Sequence, residues 1–530
     1  MTECHGGEVM DWWRVAGRAA ALIAVGFVMA GGGMSMTTWH VDAVKGNDTN
    51  DGRTPATAWK TTGRAAKGPF AAGDRLVFAG GQVFAGTLTL KGSAGGAPDR
   101  LTISSYGEGR ATIDGGTGDG LVAEGLQGLH VERLIVVGAG RLAGNRGGRG
   151  VALVKCRDAV VDEVEACRFQ KAGIVTWDSA NVRITRCHAH DNGFVGIWMW
   201  GTAKGYVGHC RSINNPGDPT IRDNHSGNGI LLSGCTDATV ERCESAGNGW
   251  DQPRGGQGNG PVGIWCHDSE RVTIQYCIAH HNKSTSGDGG GFDFDGGTRD
   301  SVLQYNYSYE NHSSGFLIWE YGSKYPIRHN TIRHNVSVND REGGIRMGKS
   351  GGADITGLFI HHNTVINAHD PCVALQGAYI DGKWLADGGL DGVFIRNNIL
   401  IGPKSGEIVK GQGGARFEGN LYWSQGGTFK IAGHSSLEAW AQATGQETVG
   451  GKVAGLFADP KLADFRLVPQ LTDPDRLGDL IAFMLTADSP AIDRGLDLKK
   501  LFGLDAGGKD FFGHPAPRGA APDLGAHELR

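Results

Sequence analysis

The stretch Gly291-Phe292-Asp293-Phe294-Asp295-Gly296-Gly297 holds two acids one residue apart. In a β-strand, successive side chains take opposite faces. Phe292 and Phe294 then share one face, and Asp293 and Asp295 share the other. The aromatic face must be the buried one, because two unpaired carboxylates are costly to bury. The acids are left side by side on the outer face, roughly 7 Å apart by strand rise. Two carboxyl groups at that spacing can divide acid and base duty between them. A structural calcium site and a solvated acidic strand are the alternative readings of the pair.

A repeat must present this strand. Gly150, Gly173, Gly196, Gly229, Gly263, Gly291, Gly315 and Gly344 each open a short apolar run, in units of about 23 to 34 residues. That period belongs to solenoids. A second apolar run follows inside the unit, as at Val182 to Ile184 and Val272 to Ile274. A third position recurs as Cys167, Cys187, Cys210, Cys243 and Cys277, then as Asn306, Asn335 and Asn363. Asn192, Asn214, Asn248, Asn282, Asn311 and Asn367 close many units. Asparagine suits left-handed turns and can bond the next asparagine along a stack. Three short strands per unit, with no helical period between them, predict an all-β chain wound as a parallel β-helix. Each coil would bury its inward residues against its neighbours about 4.8 Å away. The recurring cysteines read as small apolar members of an interior ladder, with bonding between adjacent coils as the alternative. No Cys-x-x-Cys is present to suggest zinc at tight spacing.

These coil repeats resemble those of the secreted right-handed parallel β-helix proteins of the pectin-lyase-like superfamily, of bacterial carbohydrate-active type. Two terminal segments add to the resemblance. Val41-Asp42 with Gly46-Asn47-Asp48 and Asn50-Asp51-Gly52 looks like the opening of such proteins, and Ser489-Pro490-Ala491-Ile492-Asp493-Arg494-Gly495 with Asp523-Leu524-Gly525-Ala526-His527-Glu528 looks like their close. These motifs mark architecture and leave the reaction open. The expected organisation is a signal peptide over 1–33, an N-terminal cap with first strands over 37–100, the β-helix over 101–425 and a C-terminal cap over 426–530. Within that last part, Ser435 to Thr444 and Leu477 to Leu485 read as helices and Asp464 to Val468 as a strand.

If each groove strand begins at its glycine, the residues two and four places on face outward. The first column then reads Ala152, Val175, Trp198, Leu231, Trp265, Asp293, Leu317, Arg346. The second reads Val154, Trp177, Trp200, Ser233, His267, Asp295, Trp319, Gly348. Trp177, Trp198, Trp200 and Trp265 would pave the wall on one side of the acids, and Trp319 would lie on the other. Exposed indoles are costly unless covered, and their faces stack well on sugar rings. Long loops folded over them are the alternative. The insertions from Pro216 to Asn228 and from Trp250 to Pro261, carrying Asp223, His225, Asp251 and Arg254, could roof the wall or border a cleft. His267 would touch Asp295 and orient or protonate a carboxylate. Glu320 is the third candidate acid, or a carboxylate of a surface turn. Arg346 and Lys349 would hold a substrate hydroxyl or carboxylate, or simply balance the acids. Glu310 and Asp288 are weaker candidates in turns.

The reading that uses most of these residues is a secreted or periplasmic glycoside hydrolase acting on an oligo- or polysaccharide, with no cofactor or metal required. The polygalacturonase signatures Asn-x-Asp and His-Gly are missing from the coils, so the hydrolase family stays open. A polysaccharide lyase is the alternative: calcium on Asp293 and Asp295, and Arg346 or Lys349 as the base on a uronate-containing chain. A non-catalytic carbohydrate-binding surface protein would explain the tryptophans but not the acids.

Composition narrows the partners. Gly makes up 89 of 530 residues without a collagen period, which suits many tight turns. A formal net charge of −5 gives no electrostatic case for nucleic acid or an anionic membrane. Arg14 and Arg18 precede an apolar run from Ala19 to Ala30 that is short for a membrane span and has the layout of an export signal. No other apolar run is long enough to anchor the chain.

Overall fold

The computed structural model describes residues 36–529, apart from 93–94, 96–98, 143–147, 223, 252–259, 285–287, 323, 351–352, 381–382, 386–388 and 412. The expected signal peptide, 1–33, lies outside the described residues, as do Asp223 and Arg254. No helix among the described residues is long and apolar enough to cross a membrane.

Short runs that alternate apolar and polar residues bury one strand face and leave the other free. Among the described residues they form three 14-stranded sheets in which the coil strands pair with their equivalents one coil away, Lys383–Leu385 alone adding an antiparallel hairpin strand. The glycine-led strands make up much of one sheet: Arg149–Val154, Ala172–Trp177, Val195–Trp200, Asn228–Ser233, Ile264–His267, Phe292–Asp295, Phe316–Glu320 and Ile345–Lys349 pair in that order, in parallel. This is the predicted solenoid, with one strand per sheet in each coil. Strands join it on both sides of 101–425. Thr38–Val41, Val83–Ala85 and Leu88–Lys91 open the three sheets, while Lys430–Ile431 and Leu456–Phe457 close two of them.

The bends between strands fall on residues with left-handed backbone, such as Glu163 (φ 52), Arg186 (φ 50) and His209 (φ 52). That region is sparsely used by residues bearing a Cβ. Here each bend donates its N–H to the next coil: Glu163 to the Thr185 carbonyl at 3.1 Å and Arg186 to that of Gly208 at 3.1 Å. Stacking thus repays the local cost.

One continuous apolar interior runs from Trp39 to Trp440. At its start, Trp39 stacks on Trp59 at 5.1 Å. At its end, Trp440 packs edge-on against Phe417 and Tyr422. Trp440 rides on the helix Leu437–Thr444, whose N-terminus Ser436 caps through its hydroxyl. Two polar ladders thread the coils. Cys187, Cys210, Cys243 and Cys277 share one column, which continues as Asn306, Asn335, Asn363, Asn398 and Asn420. Cys167 does not belong to it: it pairs with His190 in an outward column three residues further along the coil. The nine described cysteines are free thiols. The second ladder runs Asn192, Asn215, Asn248, Asn282, Asn311 and then Asp340. Its member is Asn215 rather than Asn214, which forms the left-handed bend beside it (φ 53).

The segment after 426 closes the end with its first helix and then packs along the flank. Tyr307 and Tyr309 donate their hydroxyls to the carbonyls of Pro469 and Leu471, each at 3.1 Å. Leu477, Leu480, Phe483 and Leu524 join Tyr307, Val336 and Ile401 in a second apolar cluster. Two expectations for this segment fail. Residues 464–468 form a turn in which Leu467 donates to the Asp464 carbonyl at 3.3 Å, so the apolar residues serve docking instead of a strand. Residues 477–485 fall in two short 3-10 turns, Pro474–Asp479 and Ile481–Phe483, in place of one α-helix.

Candidate active site

Strand register sets the site. Trp198 pairs with Leu231, Leu231 with Trp265, Trp265 with Asp293, Asp293 with Leu317, and Leu317 with Arg346. The second column runs Trp177, Trp200, Ser233, His267 and, beyond it, Asp295, Trp319 and Gly348. Phe292 and Phe294 are sealed in the interior, where Phe292 stacks on Phe316 at 5.4 Å. Asp293 and Asp295 therefore point away from the core, as the alternation requires.

Outward does not mean open. Asp293 is 2% exposed, although it lies outside the barrel. In its column Trp265 and Leu317 flank it, both buried. A loop closes nearby, where Asp288 accepts the Gly260 N–H at 2.7 Å and so ties two loops together. Oδ1 of Asp293 is buried without a hydrogen-bond partner among the described residues. Burial, then Asp295, then Asp288 push its carboxyl well above the usual carboxylate range. Asp295 is partly exposed and accepts the Gly296 N–H at 3.0 Å. Burial raises its carboxyl as well; the Gly296 N–H opposes the rise, and Asp288, Asp268 and Glu320 add to it. Two interacting carboxyls give up their protons in succession. Asp295, with a donor to stabilise its charge, is the one to ionise first.

The other expected residues divide. Glu320 ends the next strand, fully buried, and its Oε1 accepts the Gly322 N–H at 2.6 Å. It acts on Asp295 through its charge and is neither a groove carboxylate nor one of a surface turn. His267 binds Asp268 Oδ2 through its Nδ1 at 2.9 Å, and no hydrogen bond joins it to Asp295 among the described residues. The Tyr321 hydroxyl donates to the same oxygen at 3.1 Å. Tyr321 follows the strand of the coil after Asp295, and Asp268 belongs to the coil before it. This His267–Asp268–Tyr321 chain therefore bridges across the coil of Asp295. Neither Asp268 nor Tyr321 was legible as a site residue, because each follows its groove strand, past the two outward columns. Sequence reasoning ranks Asp288 low, although that residue's field reaches both central acids. Glu310 is elsewhere, on the flank, bound to Gln470 and His281.

The tryptophan wall is only half open. Trp198 is 6% and Trp265 is 3% exposed. They belong to an outer apolar cluster with Phe194, Leu231 and Val262, and their indole N–H groups donate to Ser233 and Asn228. His225, from the insertion before Asn228, sets its ring edge-on against Trp265 at 4.8 Å. Trp177 and Trp200 stay 37% and 39% exposed. They stack on each other at 5.1 Å, nearly parallel, so their shared faces are spent and their outer faces look along the coil axis. Trp319 donates to the Ser350 hydroxyl at 2.9 Å, with the Arg346 guanidinium 5.5 Å above its ring. Arg346 is engaged by Glu342, Gln376 and Ser313, and Lys349 by Asp354.

The three-sheet coil and the register together define a right-handed parallel β-helix. The family model of the right handed beta helix region matches residues 119–332 and 218–382. Over 198 residues the chain is 28% identical to a lacto-N-biosidase of Bifidobacterium longum subsp. longum, covering 31% of this chain and 12% of that relative. The chain thus spans a small part of that relative's length. Among solved structures it is similar to a GH136 lacto-N-biosidase from Eubacterium ramulus (18% identity, 66% of each chain, TM-score 0.45) and to the pectate lyase Pel9A (15% identity, 94% of this chain and 98% of that one, TM-score 0.41).

Proposed function

We propose that this chain is a carbohydrate-active enzyme, a glycoside hydrolase with Asp293 and Asp295 as its working carboxyls. The observation that carries this reading is the pair itself: two acids on one strand, both held toward the protonated form, one of them buried with an unpartnered oxygen. Asp293, the more secluded, keeps its proton and gives it to the glycosidic oxygen as the C–O bond breaks. Asp295, the first of the two to give up its proton, attacks the anomeric carbon once ionised or takes a proton from the water that does. Water's hydroxyl ends on the sugar and its proton returns to the pair. Trp177 and Trp200 lie four and three coils away from Asp295, or about 19 and 14 Å. They would hold a distant part of the same chain, with Trp319 on the other side. The name of the Bifidobacterium relative, a lacto-N-biosidase, supports hydrolysis.

The lyase alternative needs a free base, and Arg346 and Lys349 are both engaged by acids. Asp288, Asp293 and Asp295 do offer oxygens of the sort calcium takes. A panel of neutral and uronate-containing glycans, scored for new reducing ends and for unsaturated products, decides between the two. Reducing ends without ultraviolet absorbance are expected. A chelator-sensitive rise in unsaturated product would replace the hydrolase with a lyase, and binding without any product would leave a binding protein.

A further inference from the structure

A second cluster of reactive groups lies on a different sheet. Strands Glu165–Cys167 and His188–His190 are neighbours, with Glu165 opposite His188 and Cys167 opposite His190. The alanines between, Ala166 and Ala189, are buried in the interior. The four flanking side chains therefore make a two-by-two block on the outer face. One ligand atom from each of Glu165, Cys167 and His190 lies within 4.8 Å of the others. We propose that Glu165, Cys167 and His190 form a zinc-binding site, the metal's fourth position being left to a solvent ligand.

The geometry favours zinc. Tetrahedral bonds of 2.0 to 2.3 Å set neighbouring ligand atoms about 3.4 to 3.7 Å apart. His190 Nε2 and Glu165 Oε1 are 3.5 Å apart. The second-row contacts are in place too. Asp191 accepts from Nδ1 of His190 at 2.6 Å, so Nε2 is the nitrogen turned toward the cluster, and a metal there would displace its proton. Arg110 takes Oε2 of Glu165 at 2.5 Å and leaves Oε1 to the site. The His188 ring lies 4.3 Å from that of His190, and its Nε2 is buried with no hydrogen-bond partner among the described residues. A thiolate with an imidazole suits zinc, and an all-oxygen cation such as calcium would not choose it. The metal would clip two adjacent coils together.

The other grouping of metal-ligand type among the described residues, Asp510, His514 and His527, offers a contrast. There the carboxyl is more heavily used: Asp510 Oδ2 binds both His514 Nδ1 and the Glu528 N–H, and His527 Nδ1 accepts the Leu485 N–H at 3.0 Å.

The test is a titration of the chelator-stripped full chain with cobalt(II), followed by displacement with zinc(II). One equivalent should bind, with tetrahedral visible bands and a near-ultraviolet thiolate band. Cys167→Ser should abolish the thiolate band, and Asp191→Asn should weaken binding about 10- to 100-fold. His514→Ala should change nothing. Absence of stoichiometric binding, an unchanged thiolate band in Cys167→Ser, or loss of binding in His514→Ala would overturn the site. Should Cys167→Ser fail to fold, alkylation of the intact chain gives the answer by peptide mass. Zinc should slow modification of Cys167, and an unaltered rate would refute the proposal.

Discussion

Asp293 combines two costs that a structural residue would avoid: it is a carboxyl out of water, and it has another acid beside it. Its oxygen without a partner gives up interaction energy of the order of 1 to 3 kcal/mol. Such an expense fits a group kept for its proton. The sign of the linkage follows. Folding raises the carboxyl above its unfolded value, so its contribution to stability is full below about pH 4 and is lost as pH rises through the raised value. Asp293→Asn should therefore melt higher than the wild type at pH 8, with the gap closing toward pH 4. Thermal unfolding across that range checks it, and an Asp293→Asn variant that melts lower at pH 8 would contradict the burial argument. The strand phase of this pair was legible in the sequence, because two phenylalanines fixed which face was core. The burial of Asp293 was not, because alternation tells the two strand faces apart and does not tell whether the outer face is open.

At the scale of elements, the coils are pinned by ladders of buried asparagines. Each Asn gives its side-chain N–H to the next oxygen, so a ladder needs a final acceptor. Both end on carboxyls: Asn311 donates to Asp340 at 2.8 Å and Asn420 to Glu447 at 2.7 Å. Burial pushes Asp340 up to about 6 and Glu447 up to about 7. For Asp340 the stability linked to this shift is complete below its unfolded value near 4 and is lost as pH passes 6. Asp340→Asn keeps the acceptor and can give its own N–H to Ser337, now the donor at 2.7 Å. It should raise the melting temperature at pH 8 and flatten the pH dependence between 4 and 7. A lower melting temperature at pH 8 would contradict this account. The repeat was legible as columns of like residues. Offsets of one and three positions were not: Asn214 stands next to the ladder member Asn215, and Cys167 lies three residues past the interior column. Residues flanking a bend carry the same composition signal on either side of it, and only hydrogen bonding tells them apart.

Across the whole molecule, function depends on stacking. The register converts residues tens of positions apart into neighbours about 4.8 Å apart, so one wall can offer both acids and a remote aromatic pair. The tryptophan columns followed from glycine spacing alone. Which tryptophans stay open did not, because His225, from an insertion that breaks the repeat, lies against Trp265, while Phe194 and the neighbouring indoles pack on Trp198. The distance between Trp200 and Asp295 sets a size dependence. Trp200→Ala should raise KM several-fold for long oligosaccharides and leave kcat, and the kinetics of substrates too short to reach it, unchanged. Steady-state rates over a chain-length series check this, and an equal loss for the shortest substrate would remove Trp200 from the binding surface.

The most direct measurement is the rate of glycosidic cleavage by Asp293→Asn and Asp295→Asn, on whichever glycan the wild type hydrolyses, beside their melting curves. The account predicts a loss of at least a hundredfold in each, with both variants folded at assay temperature. A folded Asp293→Asn variant that cleaves at the wild-type rate would contradict it.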